Sequence, residues 1–211
     1  MGIVRTIPQM TLDEFCDWVL TQDGKYEYYK GEVFDVYAMA GAKAAHNTVT
    51  LNVGSALNAA LRGKPCRPFV ADVMLRLASE NVGYYPDVMV TCSEAYRARE
   101  TFKADAVVVV EVLSESTAAF DLGKKFASYR GMASLQEIVF IDPNRASIDH
   151  YRRDGEQWLL LAPQDVLDLQ SIGVSMARAD VFADVVTSFV TPSVGNDPVN
   201  RIREDSGDYS G

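Results

Sequence analysis

The segment Ala106-Val-Val-Val-Val-Glu-Val-Leu113 constrains this chain more than any other. Its apolar residues run on without polar alternation. A strand formed there is therefore covered on both faces and lies in the middle of a sheet. One residue breaks the run, Glu111. An isolated carboxylate in such an interior is very expensive, so it must be paired, protonated or bound to a cation. The chain must thus put layers on both sides of a sheet and supply a partner for a buried acid.

The flanking patterns supply those layers. Thr11-Leu-Asp-Glu14 is a capping-box sequence, and Phe15, Trp18 and Val19 follow on one face, which predicts a helix over about 11–21 that Asp23-Gly24 ends. Tyr26 to Tyr37 is aromatic and β-branched around Lys30-Gly31, a β-hairpin pattern. Val49, Val53, Leu57 and Leu61 recur at helical spacing from His46, and Gly63 is the stop. Strands are expected over 69–77, 84–90 and 106–113, then a helix over about 121–131. Ile138 to Asp142 predicts a further buried strand, and 148–151 and 158–161 form a hairpin through Asp154-Gly155. The expected fold class is mixed α/β, a central sheet flanked by helices with β-hairpin additions, in a single domain over 1–190. Residues 191–211 are rich in Gly, Ser, Pro, Asn and Asp and are expected to form a loose tail.

Composition narrows the chemistry. No apolar run approaches the roughly 20 residues of a membrane span, and the N-terminus lacks the apolar core of a signal peptide, so a cytoplasmic protein is expected. Cys16, Cys66 and Cys92 form no CxxC pair and are expected to be reduced, partly buried thiols. With only His46 and His150 present, any metal must be held mainly by carboxylate oxygen, which points to Mg²⁺ or Mn²⁺. The net charge of −9 argues against a protein that simply coats nucleic acid.

Candidate site residues cluster around Glu111. Asp87 follows Pro86, which belongs at a strand start, edge or bulge, and heads Val88-Met-Val90. Two acids converging from neighbouring strands repel each other unless a divalent cation lies between them. Asp121, Lys125 and Tyr129 are spaced four apart and share a helix face, so Lys125 can reach the acids; its alternative is a surface pair with Asp121. Lys124 is expected to face solvent. Glu27 and Glu32 flank the first hairpin turn, each either a further acid at the site's edge or a solvated strand carboxylate. His46 opens the long helix, placed to contact a phosphate or a water or simply to end the helix.

The ordered set of these segments resembles the Uma-type (DUF820-like) restriction endonuclease family of the PD-(D/E)XK nuclease superfamily. The resemblance is carried by Met10-Thr-Leu-Asp-Glu-Phe15, Tyr26-Glu-Tyr-Tyr-Lys-Gly-Glu-Val33, His46, Tyr85-Pro-Asp-Val-Met-Val90, Val110-Glu-Val-Leu-Ser-Glu-Ser-Thr117, Asp121-Leu-Gly-Lys-Lys-Phe-Ala-Ser-Tyr129 and Glu137-Ile-Val-Phe-Ile-Asp-Pro143. It covers nearly everything from Thr11 to about Asp184. It implies a restriction-endonuclease-like αβββαβ core, with Asp87 and Glu111 as metal-binding acids and the Val112 carbonyl as a further ligand. The superfamily's lysine position, two residues after the Glu, is Leu113 here. The resemblance implies that Lys125 takes its place, and that Glu32, before Glu27, is the additional acid. Ala40-Gly-Ala-Lys-Ala-Ala45 and Met132-Ala-Ser-Leu-Gln136 depart from the family pattern without removing a proposed catalytic group.

The activity implied by this resemblance is Mg²⁺-dependent hydrolysis of DNA, with Glu32 placing a second metal or a water. The alternative is a nuclease-fold module that binds nucleic acid or protein without cutting. A small phosphate ester is a weaker third reading, because no phosphate-cradling glycine loop is present. The resemblance also implies a homodimer, for which the hairpins Tyr26–Met39 and Ile148–Leu161 are the expected surfaces.

Overall fold

In the computed structural model, residues 9–36, 44–94, 101–114 and 118–185 are described. The expected tail at 191–211 lies outside them. Helix α1 (Leu12–Val19) starts at Thr11, whose hydroxyl caps Glu14 while the Glu14 side chain returns to the Thr11 backbone. The hairpin β1 (Tyr26–Tyr29) and β2 (Glu32–Asp35) turns through Lys30 and Gly31, both at positive φ, the requirement of a tight primed turn. Helix α2 spans Ala44–Leu61.

Among the described residues, six strands make the central sheet, in the order β11-β10-β9-β8-β6-β3. They are β3 (Arg67–Val70), β6 (Val88–Thr91), β8 (Ala106–Val112), β9 (Glu137–Asp142), β10 (Ser147–Asp154) and β11 (Gln157–Leu160). All pair antiparallel except β8 with β9. Helix α3 runs on from Ala118–Phe120 through a π-helical stretch, Asp121–Lys125, into Phe126–Arg130. The series α2-β3-β6-β8-α3-β9 thus carries the expected αβββαβ order. Even-numbered valines of β8 pack toward α2 with Val49, Val53 and Leu57. Val109 on the other face packs toward α3 with Tyr129. Burial on both faces is what the valine run requires.

Two expected strands are each broken in two. The stretch 69–77 divides into β3 and β4 (Met74–Leu77), because Ala71 takes positive φ and turns the chain out of the central sheet. The stretch 84–90 divides into β5 (Val82–Tyr84) and β6 around Pro86-Asp87. Proline cannot donate to a ladder, so the strand stops there. With β7 (Phe102–Lys103), these pieces build a second sheet, β2-β1-β5-β4-β7, with α1 packed on it. A small hairpin of β12 (Val166–Leu169) and β13 (Val174–Ala177), followed by α4 (Arg178–Val181), closes the α2 side.

The cysteines differ from expectation. Cys66 and Cys92 form a disulfide, and only Cys16 is a free buried thiol. Antiparallel pairing of β3 with β6 sets Arg67 opposite Thr91. The residues one step beyond, Cys66 and Cys92, are thereby brought face to face, a proximity that sequence spacing did not reveal. No helix among the described residues is long and apolar enough to cross a membrane.

A second buried polar group ties β9 to its neighbours. Glu137 accepts from His150 at 3.1 Å, Arg152 at 3.0 Å and the Ser171 hydroxyl at 2.5 Å. Burial pushes its pKa up, but the bonds from His150, Ser171 and Arg152 outweigh that and hold it below the ordinary value. A depressed carboxylate adds stability above its unfolded pKa and loses it as pH falls through the folded one. Glu137→Ala is expected to lower stability by about 3 kcal/mol at neutral pH, and Glu137→Gln to flatten the acid limb of the stability curve. Urea unfolding across pH tests this; an acid limb identical to wild type in Glu137→Gln would contradict it.

Candidate active site

Strands β6 and β8 run antiparallel with Val88 opposite Val110 and Met89 opposite Val109. One step further, that register sets Asp87 opposite Glu111, on the face that carries Met89 and Val109 and looks toward α3. The two acids therefore share a face at the point where Pro86 frees the chain from the ladder. Asp87 accepts from the Val112 N–H through Oδ2 at 2.7 Å, which fixes its carboxylate against the end of β8. Its Oδ1 lies 3.3 Å from His46 Nε2, at the start of α2.

Glu111 is buried, and Lys125 reaches it. The Lys125 amine is 3.1 Å from Glu27, 3.3 Å from Glu111 and 3.3 Å from Asp121. All four side chains are at least nine-tenths buried, so the pair of Lys125 with Asp121 is an interior one rather than a surface one. Three N–H donors thus meet three carboxylates. The π-helical stretch at Gly123 widens the helix so that Asp121, Lys125 and Tyr129 are all buried on one side. Such bulges are frequent at functional sites. Tyr129 donates to Glu111 Oε1 at 2.5 Å, and Tyr84 stands edge-on to Tyr129.

Of the two hairpin acids, Glu27 reaches the Lys125 cluster and Glu32 does not. Glu27 is buried on β1 and also accepts from the Tyr85 N–H at 2.9 Å. Glu32 stands exposed at the start of β2. Lys124 is exposed as expected, but its amine lies over the rings of Tyr29, Phe34 and Phe120. The expectations missed the Tyr84 ring contact and the His46 contact with Asp87; the only signal for the latter was a histidine opening the helix that covers β8.

The charges do not balance. Burial pushes the Glu111 pKa well above the usual carboxylate range; Lys125 pulls it back, and Asp121 and Asp87 push it further up. Burial works to strip Lys125 of its proton, but Glu111, Glu27, Asp121 and Asp87 overcome that and hold the ammonium well above its usual pKa. Burial leads the Glu111 rise, and the neighbouring carboxylates add to it and alone account for the Lys125 rise. Burial alone would also lower the His46 pKa, yet Asp87, Asp121 and the Val112 backbone raise it above its usual value.

Residues 12–179 match the Uma2 family model, described as "Putative restriction endonuclease". This chain belongs to that family. Two uncharacterised proteins of Synechocystis sp. are similar to it. One is 33% identical over 173 residues, covering 81% of this chain and 90% of its own. The other is 34% identical over 163 residues, covering 76% and 90%. A crystal structure from Anabaena variabilis, described as "a putative nuclease belonging to DUF820", superposes with a TM-score of 0.66 at 18% identity, covering 84% of this chain and 99% of that one. The two chains thus share one fold. In this Uma2 chain, no group of three or more His, Cys, Asp or Glu side chains is gathered as a metal cage among the described residues. Asp87 instead accepts from the Val112 N–H and lies against His46, and Glu111 meets Tyr129 and Lys125.

Removing the ammonium leaves Glu111 buried with two further acids. Lys125→Met is expected to destabilise the fold by about 3–5 kcal/mol at neutral pH. A carboxylate whose folded pKa is raised contributes stability at low pH and loses it as pH rises through that value. The variant is therefore expected to recover stability on acidification, whereas a neutral surface substitution such as Lys124→Met is not. Thermal unfolding of both variants across pH tests this; a Lys125→Met stability curve parallel to wild type would contradict it.

Proposed function

We propose that this protein is a metal-dependent endonuclease that hydrolyses phosphodiester bonds of DNA. The observation that carries the reading is the register that sets Asp87 opposite Glu111 on one face, beside a lysine that burial cannot discharge. The donors that would hold the cation are the carboxylates of Asp87 and Glu111 and the Val112 carbonyl. They fit a hard divalent ion, since all are oxygens and the surrounding acids outnumber the cations. His46 adds an internal mark of this fit. It places an imidazole with a raised pKa 3.3 Å from Asp87, where positive charge is favoured. Bound there, Mg²⁺ or Mn²⁺ supplies Lewis-acid polarisation of the phosphate and a water of lowered pKa.

The chain's own groups do the rest. The Val112 N–H fixes one Asp87 oxygen, so the other is presented at a defined angle. Tyr129 and Lys125 both bind Oε1 of Glu111, so Oε2 carries neither contact and is oriented by them. Lys125 keeps a full positive charge beside the acids and neutralises charge that builds on the phosphoryl oxygens. Glu27 anchors Lys125 from β1 and takes the part that the resemblance gave first to Glu32. The reading places the protein in the cytoplasm with DNA, where reducing thiols decide whether the Cys66–Cys92 bond persists.

The rival reading, a nuclease-fold module that binds without cutting, draws on the net charge of −9, which repels a phosphate backbone. Nicking of supercoiled plasmid with Mg²⁺ or Mn²⁺ separates the two. Wild type is expected to cut only with the metal, and Asp87→Asn and Glu111→Gln to lose activity by more than about 100-fold. Tyr129→Phe, which supports Glu111 without holding the cation, is expected to lose about 10- to 100-fold. Cleavage at the wild-type rate in both acid variants would refute the reading, and metal-independent binding with no cleavage would favour the module.

A further inference from the structure

The first hairpin and the start of α3 meet in an aromatic patch that the proposed catalysis does not use. Tyr29 of β1, Phe34 of β2 and Phe120 of α3 form it. The Phe120 ring centre is 6.5 Å from that of Tyr29 and 5.7 Å from that of Phe34. All three residues are half-buried, so part of each ring stays at the surface. Two ammonium groups stand over them. Lys124 is 4.5 Å from the centre of Tyr29, 5.5 Å from Phe34 and 5.7 Å from Phe120, and Lys30 is 5.4 Å from Tyr29. Both lysines are exposed.

The patch adjoins the acids. Tyr29 and Phe34 stand on the hairpin face that carries Glu27, with Phe34 directly opposite it. Phe120 and Lys124 each precede a member of the buried cluster, Asp121 and Lys125. Phe120 meets Tyr84 edge-on at 6.1 Å, and Tyr84 meets Tyr129, the donor to Glu111, at 5.8 Å. One ring therefore separates the patch from the tyrosine that orients Glu111.

Surface rings with ammonium groups beside them are the two parts of a single-strand site. Bases stack on the rings, and the backbone phosphates take the ammoniums. The bases of an intact duplex are stacked on one another and do not reach such rings. The net charge of −9 favours the same choice, since an acidic chain gains little from backbone attraction, whereas stacking needs no net positive charge. The attraction of an exposed ammonium to a ring is weak. Lys124 can thus yield Tyr29 to a base and turn to the adjoining phosphate. Glu32, exposed opposite Tyr29, disfavours a phosphate at the hairpin tip and leaves the Lys124 side for the backbone.

We propose that Tyr29, Phe34 and Phe120, together with Lys124, bind unpaired nucleotides, so that the substrate is single-stranded or locally unpaired DNA rather than intact duplex. The choice of DNA rests on the nuclease reading, and the test therefore measures binding without catalysis.

Full-length protein in EDTA is titrated into an oligonucleotide of about 20 nucleotides carrying 2-aminopurine, whose fluorescence falls when the base stacks, and into the same sequence as a duplex. Wild type is expected to quench the single strand and to bind it at least about tenfold more tightly than the duplex. Phe34→Leu, which keeps an apolar side chain, and Lys124→Gln are each expected to weaken single-strand binding by about tenfold. Lys64→Gln, exposed on the loop before β3, is expected to bind as wild type does. No binding of the single strand, a preference for duplex, or wild-type affinity and quenching in both patch variants would each overturn the proposal, even if plasmid nicking is metal-dependent. Single-strand binding that these variants weaken supports it even if no nicking occurs, so the two readings fail separately.

Discussion

The ammonium of Lys125 is the group on which the rest of the site depends. It lets Glu27, Glu111 and Asp121, carried by β1, β8 and α3, enter one buried cluster. Without a cation that arrangement would be strongly repulsive, and each acid would either protonate or turn to solvent. The same contact joins the two sheets, because Glu27 belongs to one and Glu111 to the other. A polar cluster of this kind is weak as a source of stability, since desolvation offsets much of the attraction. Its retention is better explained by what it holds in place.

The cluster holds a pair of acids at the end of a ladder. Pro86 ends one strand and frees Asp87, while the valines of β8 carry Glu111 to the matching position across the register. The backbone of Val112 completes the arrangement by fixing Asp87. Membership of the Uma2 family, described as "Putative restriction endonuclease", and the fold shared with the Anabaena variabilis protein give this geometry its chemical context. The excess of carboxylate over cation favours further positive charge there, in line with the raised pKa of His46.

Much of this was legible in the residues, and the rest was hidden for identifiable reasons. The unbroken valines of β8 required a central strand, and Glu111 within them required a partner. Lys125 as that partner was visible only as a helical spacing shared with Asp121 and Tyr129, which a surface pair satisfies equally well. The choice between Glu27 and Glu32 was not available from alternation. The two lie on the same face of the hairpin, since Tyr29 sits opposite Glu32 and Glu27 opposite Phe34. Only the docking of α3 against β1 separates them. Pro86 signalled a strand end locally, but the turn at Ala71 and the pairing of the resulting pieces into a second sheet are long-range events that local pattern does not encode. The Cys66–Cys92 pairing follows from the same long-range register of β3 on β6. Gly123 within a helical pattern was the one local hint of the π-helical stretch.

The central claim is that Asp87 and Glu111 face a common cation. A crystal soaked in Mn²⁺ and measured at an anomalous wavelength tests it most directly. The account predicts one strong anomalous peak within coordination distance of both carboxylates and the Val112 carbonyl, with His46 moved off Asp87. Fully occupied Mn²⁺ elsewhere in the molecule, with these carboxylates bare and His46 still bonded to Asp87, would contradict it.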